Sequence, residues 1–330
     1  GGGIKIASFR VSLIQWLGTT LQRDLYVSAP GDSGDRPGGR LSPDLIQAIG
    51  ALDGSAQLSQ GHRARVEARD GPVALLALRP SKASRQGFRC DGKTLPDYWS
   101  RFEQGDAVLV SEPFAYHRRV GVGQTVALLT AQGWREFPIG CVFRDYGSDS
   151  GMLVMAQESY ARLWQDGGVT TLGLILRSDA DPAAVYQGVR HAAEAAGQPV
   201  LVSRTAEIRE QSIAIFDRTF AITRVLRLLA VGVAFIGILS ALMALQLERR
   251  REHAVLRATG MTPGELARLM LFHTSIIGLA AGLFAAPLGV MMGALLIQVV
   301  NLRSFGWTID LTVPLGALGL GILLAWTAAF

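Results

Sequence analysis

The sequence predicts a membrane protein in two parts: a mixed α/β water-facing domain over residues 1–220, then an α-helical region of three spans over 221–330. Leu228–Leu247 is interrupted only by Ser240 and Gln246. At ~1.5 Å rise per residue such a run covers the ~30 Å hydrocarbon core of a bilayer. Glu248-Arg249-Arg250-Arg251-Glu252 follows directly, and this charged block cannot continue into lipid, so the chain leaves the membrane there. Two more apolar stretches, 269–300 and 311–330, complete the three spans, whereas 1–220 reads as an ordinary soluble domain.

The elements of that domain follow from local pattern. Phe9, Leu13, Ile14, Trp16, Leu17 and Leu21 recur at helical spacing, so residues 6–21 form an amphipathic helix. Residues 24–28 make a short strand, and 29–40 a Gly/Pro/Asp loop. Ser42-Pro43 starts a helix, with a side-chain cap and a proline where a missing N–H costs nothing. Arg63–Arg69 alternates charged and apolar residues, and after Asp70-Gly71-Pro72 comes the strand Val73–Leu78, giving a hairpin with one wet face. Strands are expected at 106–110, 124–129, 134–143, 152–155 and 199–203, and Asp181-Pro182 opens a helix running to Gly197. No 20–50-residue repeat is visible. From Thr205 to Val231 there is neither Gly nor Pro, so one continuous helix from about Ala206 to Arg250 is expected, roughly 65 Å long.

Charge sets the topology. Residues 1–220 hold 24 Lys+Arg against 23 Asp+Glu, and the remainder holds 8 against 4, which excludes a basic nucleic-acid-binding surface on the soluble domain. The loop 248–268 carries Arg249, Arg250, Arg251, Arg257 and Arg268, whereas the loop before the third span carries only Arg303, with Asp310. Arginine excess marks the cytoplasmic side. Residues 248–268 are therefore inside, and 1–220 and 301–310 outside. The sequence opens without Met and stops inside an apolar stretch, so a fragment of a larger protein is expected, with an earlier span before it.

Candidate chemical motifs mostly dissolve on inspection. Gly87–Thr94 fits the phosphate-loop pattern GxxxxGK[ST], but polar residues precede it and Pro96 follows, so a loop is expected and no nucleotide site. The five histidines have no metal-ligand spacing, and Asp145–Gly151 lacks the terminal Glu of a calcium loop. Ser111-Glu112-Pro113 reads as a helix cap, with no nucleophile elbow around it. Cys90 and Cys141 would be free to pair in an oxidising compartment, but the favoured reading is a buried thiol at 141 and an incidental one at 90. No catalytic residue, cofactor or metal site is expected. His273 lies four residues into an apolar helix and reads as a hydrogen-bond partner for a neighbouring helix.

The cytoplasmic loop is more informative. Arg251–Thr259 is a short helix with Ala254, Val255 and Ala258 on an apolar side, and Gly260 suits a left-handed cap. Thr262-Pro263-Gly264-Glu265 is a capping box that starts the next helix. A bare re-entry turn needs far fewer residues, so the loop is expected to dock a cytoplasmic partner. In the second span Gly278, Gly282, Gly289 and Gly293 form two small-xxx-small pairs around Pro287. That spacing fits close helix packing with a kink or broken segment.

These features together resemble the FtsX-like permease family of ABC transporters. The resemblance rests on Glu248-Arg-Arg-Arg-Glu-His-Ala-Val-Leu-Arg-Ala-Thr-Gly260, the Gly-rich next span and Phe305-Gly306-Trp307. The outer domain is similar to the MacB-type periplasmic core, which implies a ferredoxin-like part with a β-rich insertion around residues 81–150. Against the family pattern, the first span is absent, the last is cut, and His273 stands where many members carry a glutamate.

The resemblance implies a non-catalytic permease subunit in a bacterial inner membrane. A cytoplasmic ATPase would dock on Arg251, Glu252, Val255, Leu256, Arg257, Gly260 and Met261, and a second permease half or subunit would pair with the spans. ATP-driven closure would then reshape the outer domain, moving a lipid, lipoprotein or peptide with or without a periplasmic adaptor. Two other readings stand beside it. One is a regulatory module of the same architecture that activates an extracellular hydrolase, which gene neighbours would distinguish. The other is a receptor or enzyme merely anchored by its spans, which leaves three spans and a structured inner loop unexplained.

Overall fold

The computed structural model describes residues 2–21, 23–31, 39–80, 85, 87–90, 92–219, 221–310, 316, 319 and 323. The chain divides into two units, one of residues 12–213 with 301–308, the other of 1–11, 214–300 and 309–330.

The larger unit is organised by one long strand. Strand β2 (Ser55–Ala68) belongs to two sheets at once, with its first half paired to β8 (Thr171–Leu176) and its second to β3 (Gly71–Arg79). The first sheet has the order β2-β8-β1-β9, with β1 at Leu25–Ser28 and β9 at Leu201–Arg204, and every pairing is antiparallel. Leu25 and Val27 point to one face and face Leu174 and Leu172 across the ladder. Helices α2 (Pro43–Gly50) and α6 (Pro182–Ala195) cover that face through Leu45, Ile49, Val185 and Val189. Both helices start as their sequences dictate. Ser42 Oγ accepts from Leu45 N at 3.3 Å and Asp181 Oδ1 from Ala183 N at 2.9 Å, each with proline next in the first turn.

The second sheet closes on itself. From β2 the order runs β3, β7 (Met152–Ala156), β4 (Val108–Ser111), β6 (Gly133–Phe143) and β5 (Thr125–Thr130), and β5 returns to β2 through Ala68 and Leu128. Closure of the ring pairs strand edges that would otherwise be open. Its core holds Val66, Leu75, Val110, Leu128, Phe137 and Ile139, with Phe114 from α4 (Glu112–Arg118) and Tyr160 and Leu163 from α5 (Gln157–Trp164). The ring therefore uses residues on both sides of 81–150. Gly71, at φ +103°, permits the hairpin turn between β2 and β3.

A smaller cluster packs outside the ring, with Leu109, Phe143 and Val154 under Phe102 of α3 (Tyr98–Gln104). Here the expectation of two free thiols is corrected, because Cys90 and Cys141 form a disulfide with Cα atoms 5.9 Å apart. The sequence places Cys90 in a polar loop. The fold brings that loop antiparallel to β6, where Cys90 bridges Phe143. Ser111 is also corrected in part. It sits at the N-cap of α4 but makes no side-chain cap bond, and its buried hydroxyl accepts from Met152 N at 2.9 Å instead.

The N-terminal helix α1 spans Gly2–Thr20. The rod expected from about Ala206 to Arg250 is described as α7 (Thr205–Thr219) and α8 (Ala221–Glu248), on either side of Phe220, which lies outside the described residues. Helix α8 stops before Arg249, whose φ/ψ of −87°/8° separates it from α9 (Arg250–Ala258). Helix α10 (Pro263–Leu295) runs through Pro287 as one helix, so no broken segment occurs there, and a π-helical turn (Leu296–Asn301) and a short helix α11 (Leu302–Phe305) extend it. Among the described residues, two helices are long and apolar enough to cross a membrane. Leu228–Leu245 has mean hydropathy 2.6 with none of it buried, and Pro263–Phe305 has 2.1 with 11% buried. The expected third span, 311–330, lies outside the described residues apart from three isolated positions.

Candidate functional site

The loop expected to dock a partner folds as a helix, a tight turn and a second helix. Helix α9 has no buried residue: Arg251, Glu252 and Arg257 are exposed, Val255 is 61% exposed, and Leu256 and Met261 are half-buried. The turn is closed by backbone bonds, Gly260 N donating to Arg257 O and Met261 N to Leu256 O, both at 3.2 Å. Gly260 sits at φ +102°, which a β-carbon would strain. The next helix starts with a complete capping box, in which Thr262 N donates to Glu265 Oε2 at 2.9 Å and Glu265 N to Thr262 Oγ1 at 3.4 Å. Two helix ends are thus satisfied within a few residues, which fixes the loop while leaving Val255 out. In α10, Gly278, Gly282 and Gly293 are buried and Gly289 is half-buried. His273 lies on the same helix and is exposed.

Among the described residues, the phosphate-loop match has no strand feeding it and no helix leaving it at Thr94. Helix α3 begins only at Tyr98, and Cys90 of the motif is held in the disulfide. Asp145–Gly151 is a turn in which Asp145 Oδ1 accepts from Gly147 N at 2.9 Å. No group of three or more metal-ligating side chains occurs among the described residues.

Two features are not legible in the sequence. The first is the segment 301–308, which packs within the larger unit. Thr308 donates to the Glu112 carboxylate through its N–H (3.0 Å) and its hydroxyl (2.7 Å), and Tyr146 donates to Thr308 O at 2.9 Å. Trp307 is buried edge-on to Tyr146. Gly306 passes so close to Pro113 that a Cβ there would lie 2.9 Å from its Cα. Phe305-Gly306-Trp307 is visible as a motif, but its anchor at Glu112 lies far away in the chain.

The second is a cleft of about 440 Å³ on the face of the four-stranded sheet opposite α2 and α6. Tyr26, Ser59, Gly61, Thr171 and Gly173 form its floor, and Arg23, Arg63, Arg144 and Asp145 also line it. Burial lowers the Arg23 pKa against the opposing influence of Tyr26, and burial raises that of Tyr26. Burial also raises the Asp145 carboxyl, against the Gly147 N–H and Arg63. Its Oδ2 has no hydrogen-bond partner among the described residues. The only sequence trace of this floor is a strand whose alternate positions are small.

A third polar cluster pins the 39–41 loop to β2. Asp166 lies 3.0 Å from Arg40 and 3.3 Å from His62 Nε2, and Tyr160, packed at 5.0 Å against His62, is pushed up to about 12 by burial and then by Asp166. It serves as an electrostatic tie.

A long exposed apolar helix, a structured loop and a glycine-bearing second helix are together the features of a membrane-spanning region. Residues 224–330 match the FtsX-like permease C-terminal family. The whole chain is 38% identical over 315 residues, 94% of its length, to an uncharacterized ABC transporter permease protein of Mycobacterium tuberculosis (strain ATCC 25618 / H37Rv), and it spans 37% of that relative's length. Among solved structures it is similar to the periplasmic region of MacB from Actinobacillus actinomycetemcomitans, with 12% identity, TM-score 0.44, and 62% of this chain and 97% of that one covered. It is also similar to the extracellular domain of the noncanonic ABC-type transporter YknZ from Gram-positive bacteria, with 12% identity, TM-score 0.39, and 55% and 99% covered.

Proposed function

We propose that this chain is the non-catalytic permease part of an ABC transporter, in which a separate cytoplasmic ATPase docks on the α9–α10 loop and a second permease half pairs with the spans. The reading places three spans in a bacterial inner membrane, with residues 1–220 and 301–310 outside. The order β2-β8-β1-β9 with two helices on one face supports calling the outer core ferredoxin-like, with the strand ring as its insertion. Docking would be transmitted to the outer domain, which works on a lipid, lipoprotein or peptide. The glycines of α10 are read as a helix-packing face.

One observation carries the docking reading. Val255 is 61% exposed on a helix held rigidly by Gly260 and the capping box, between Arg251 and Arg257. A fixed apolar side chain flanked by cations fits a partner groove with an acidic rim. Val255→Asp with Leu256→Asp would put unpaired charge into that contact at roughly 2–5 kcal/mol, at least about thirtyfold in affinity. The double variant should insert and keep its disulfide yet lose ATPase binding in pull-down and titration. Undiminished binding would make the loop a mere turn and favour an anchor.

A further inference from the structure

We propose that residues 301–308 are a mechanical clasp. They grip the rim of the strand ring where β4, β6 and β7 end together, at the same turn that Trp16 of α1 holds, so that a shift in the chain leaving α10 reaches the ring and α1 at one joint. The transmission of ATP-driven movement through this joint rests on the permease reading above; the clasp itself does not.

The rim is the first argument. Ser111, the last residue of β4, pairs with Phe143, the last of β6, and its hydroxyl accepts from the N–H of Met152, the first of β7. Three neighbouring strands of the ring therefore end at one place, and a load applied there is shared among their ladders. The chain leaves β6 into the turn 144–151, which Asp145 closes on Gly147 N, and leaves β4 into α4, whose first residue is Glu112. Gly151 of that turn, at φ +75°, lies so close to α4 that a Cβ there would collide with the Phe114 backbone. Only glycine allows that approach, and it makes the turn and α4 one block.

The grip is the second argument. Thr308 is bound to both parts of the block, to α4 through Glu112 and to the turn through the Tyr146 hydroxyl. Trp307 lies edge-on to Tyr146 at 5.7 Å and stacks on Phe305 at 5.1 Å, and the buried Asn301 amide donates to Trp307 O at 3.1 Å, which closes the segment on itself. Tyr146 also meets Trp16 edge-on at 5.7 Å, and the Trp16 indole N–H donates to Arg144 O at 3.2 Å. Edge-to-face aromatic pairs prefer a set geometry, so this chain of rings resists sliding as well as separation. A loop that merely joined two helices would run over the surface and bury no tryptophan. Three of the boundaries between the two units, after residues 11, 300 and 308, fall within a few residues of these contacts. Helix α1 and the chain leaving α10 thus both enter the larger unit at this joint.

The first test is hydrogen–deuterium exchange of the full chain in phosphatidylcholine nanodiscs, without nucleotide or ATPase. Trp307→Ala should raise exchange about tenfold in residues 12–18 of α1 as well as in 301–308 and 144–148, because the three segments share Tyr146. Tyr146→Phe keeps the ring and removes the hydroxyl, so it should loosen 301–308 and leave 12–18 protected. Arg177→Gln, paired with Asp53 elsewhere, should change none of them, and α2 and α6 should stay unmoved throughout. Retention of the Cys90–Cys141 disulfide checks folding. Should Trp307→Ala fail that check, Trp16→Ala takes its place, read as faster exchange in 301–308. A response confined to the mutated segment would overturn the clasp. The second test adds the transporter's ATPase and a non-hydrolysable ATP analogue. Nucleotide should then alter exchange in 144–148 of the unmutated protein and not of Trp307→Ala. With ATPase bound, no response in the unmutated protein, or one undiminished in Trp307→Ala, would refute transmission through this segment. An ATPase that does not bind would instead refute the docking reading, and the first test would decide on the clasp alone.

Discussion

In the larger unit Leu128 and Ile139 have no exposed surface and Phe137 has 1%, sealed inside the strand ring, whereas in the other unit Leu228 and Phe284 each leave 76% exposed and Val233 70%. The side chains are of the same kind, so the difference lies in the solvent they meet. At roughly 25 cal/mol per Å² of apolar surface, a helix as bare as α8 would be strongly disfavoured in water. In a bilayer the surface needs no burial, and the helix satisfies its own backbone. The larger unit must instead assemble its interior from distant strands, with a disulfide and long-range polar ties.

The contrast breaks most readily at the ring core. Phe137→Ala should cost roughly 3–5 kcal/mol through the cavity it leaves, whereas Phe284→Ala, already exposed, should leave thermal unfolding almost unmoved. Both are read by scanning calorimetry of the full chain in neutral detergent, and equal shifts would refute the distinction. Next comes the disulfide, which closes a separation of 51 residues. Cys90→Ser with Cys141→Ser should lower the stability of the larger unit to denaturant by about 2–4 kcal/mol, and the unmodified chain should show no free thiol to alkylation even after unfolding without reductant.

Smaller effects sharpen the comparison at particular groups. Thr262→Ala removes half of a local capping box and should cost about 0.5–2 kcal/mol, read as faster amide exchange confined to the first turn of α10 without a change in the larger unit. Asp145→Asn tests burial of a charge. Its carboxyl is raised above the ordinary 3.8 by burial, so the folded state favours the protonated form. The stability this group contributes is complete below 3.8 and is lost as pH rises through the folded value. Asp145→Asn keeps an oxygen for the Gly147 N–H and should stabilise the protein at neutral pH, with the gain vanishing near about pH 3. A loss of stability at neutral pH would mean that the ionised carboxylate is the favoured form.

What could be read directly from the chain depends on neighbours a few residues apart. The caps at Ser42 and Asp181, the hairpin at Gly71, the Gly260 turn and the Thr262–Glu265 box all form as their residues require, because each is settled by bonds within a few positions. The two apolar helices were legible for the same reason, since a helix bonds within itself and lipid asks only for length and hydropathy. Strand β8 was not recognised, although it is the element that joins β1 to β2. Its run Thr171–Leu176 is short, and its central role comes only from partners far away in the chain. The same holds for the Cys90–Cys141 bond, the Ser111 hydroxyl turned to Met152, the Glu112–Thr308 contact and the cleft floor. Propensity and periodicity act over one or two turns of chain. Ring closure and the placing of Arg23, Arg63 and Asp145 in one cleft are decided by which distant strands pair, and only the folded chain contains that information.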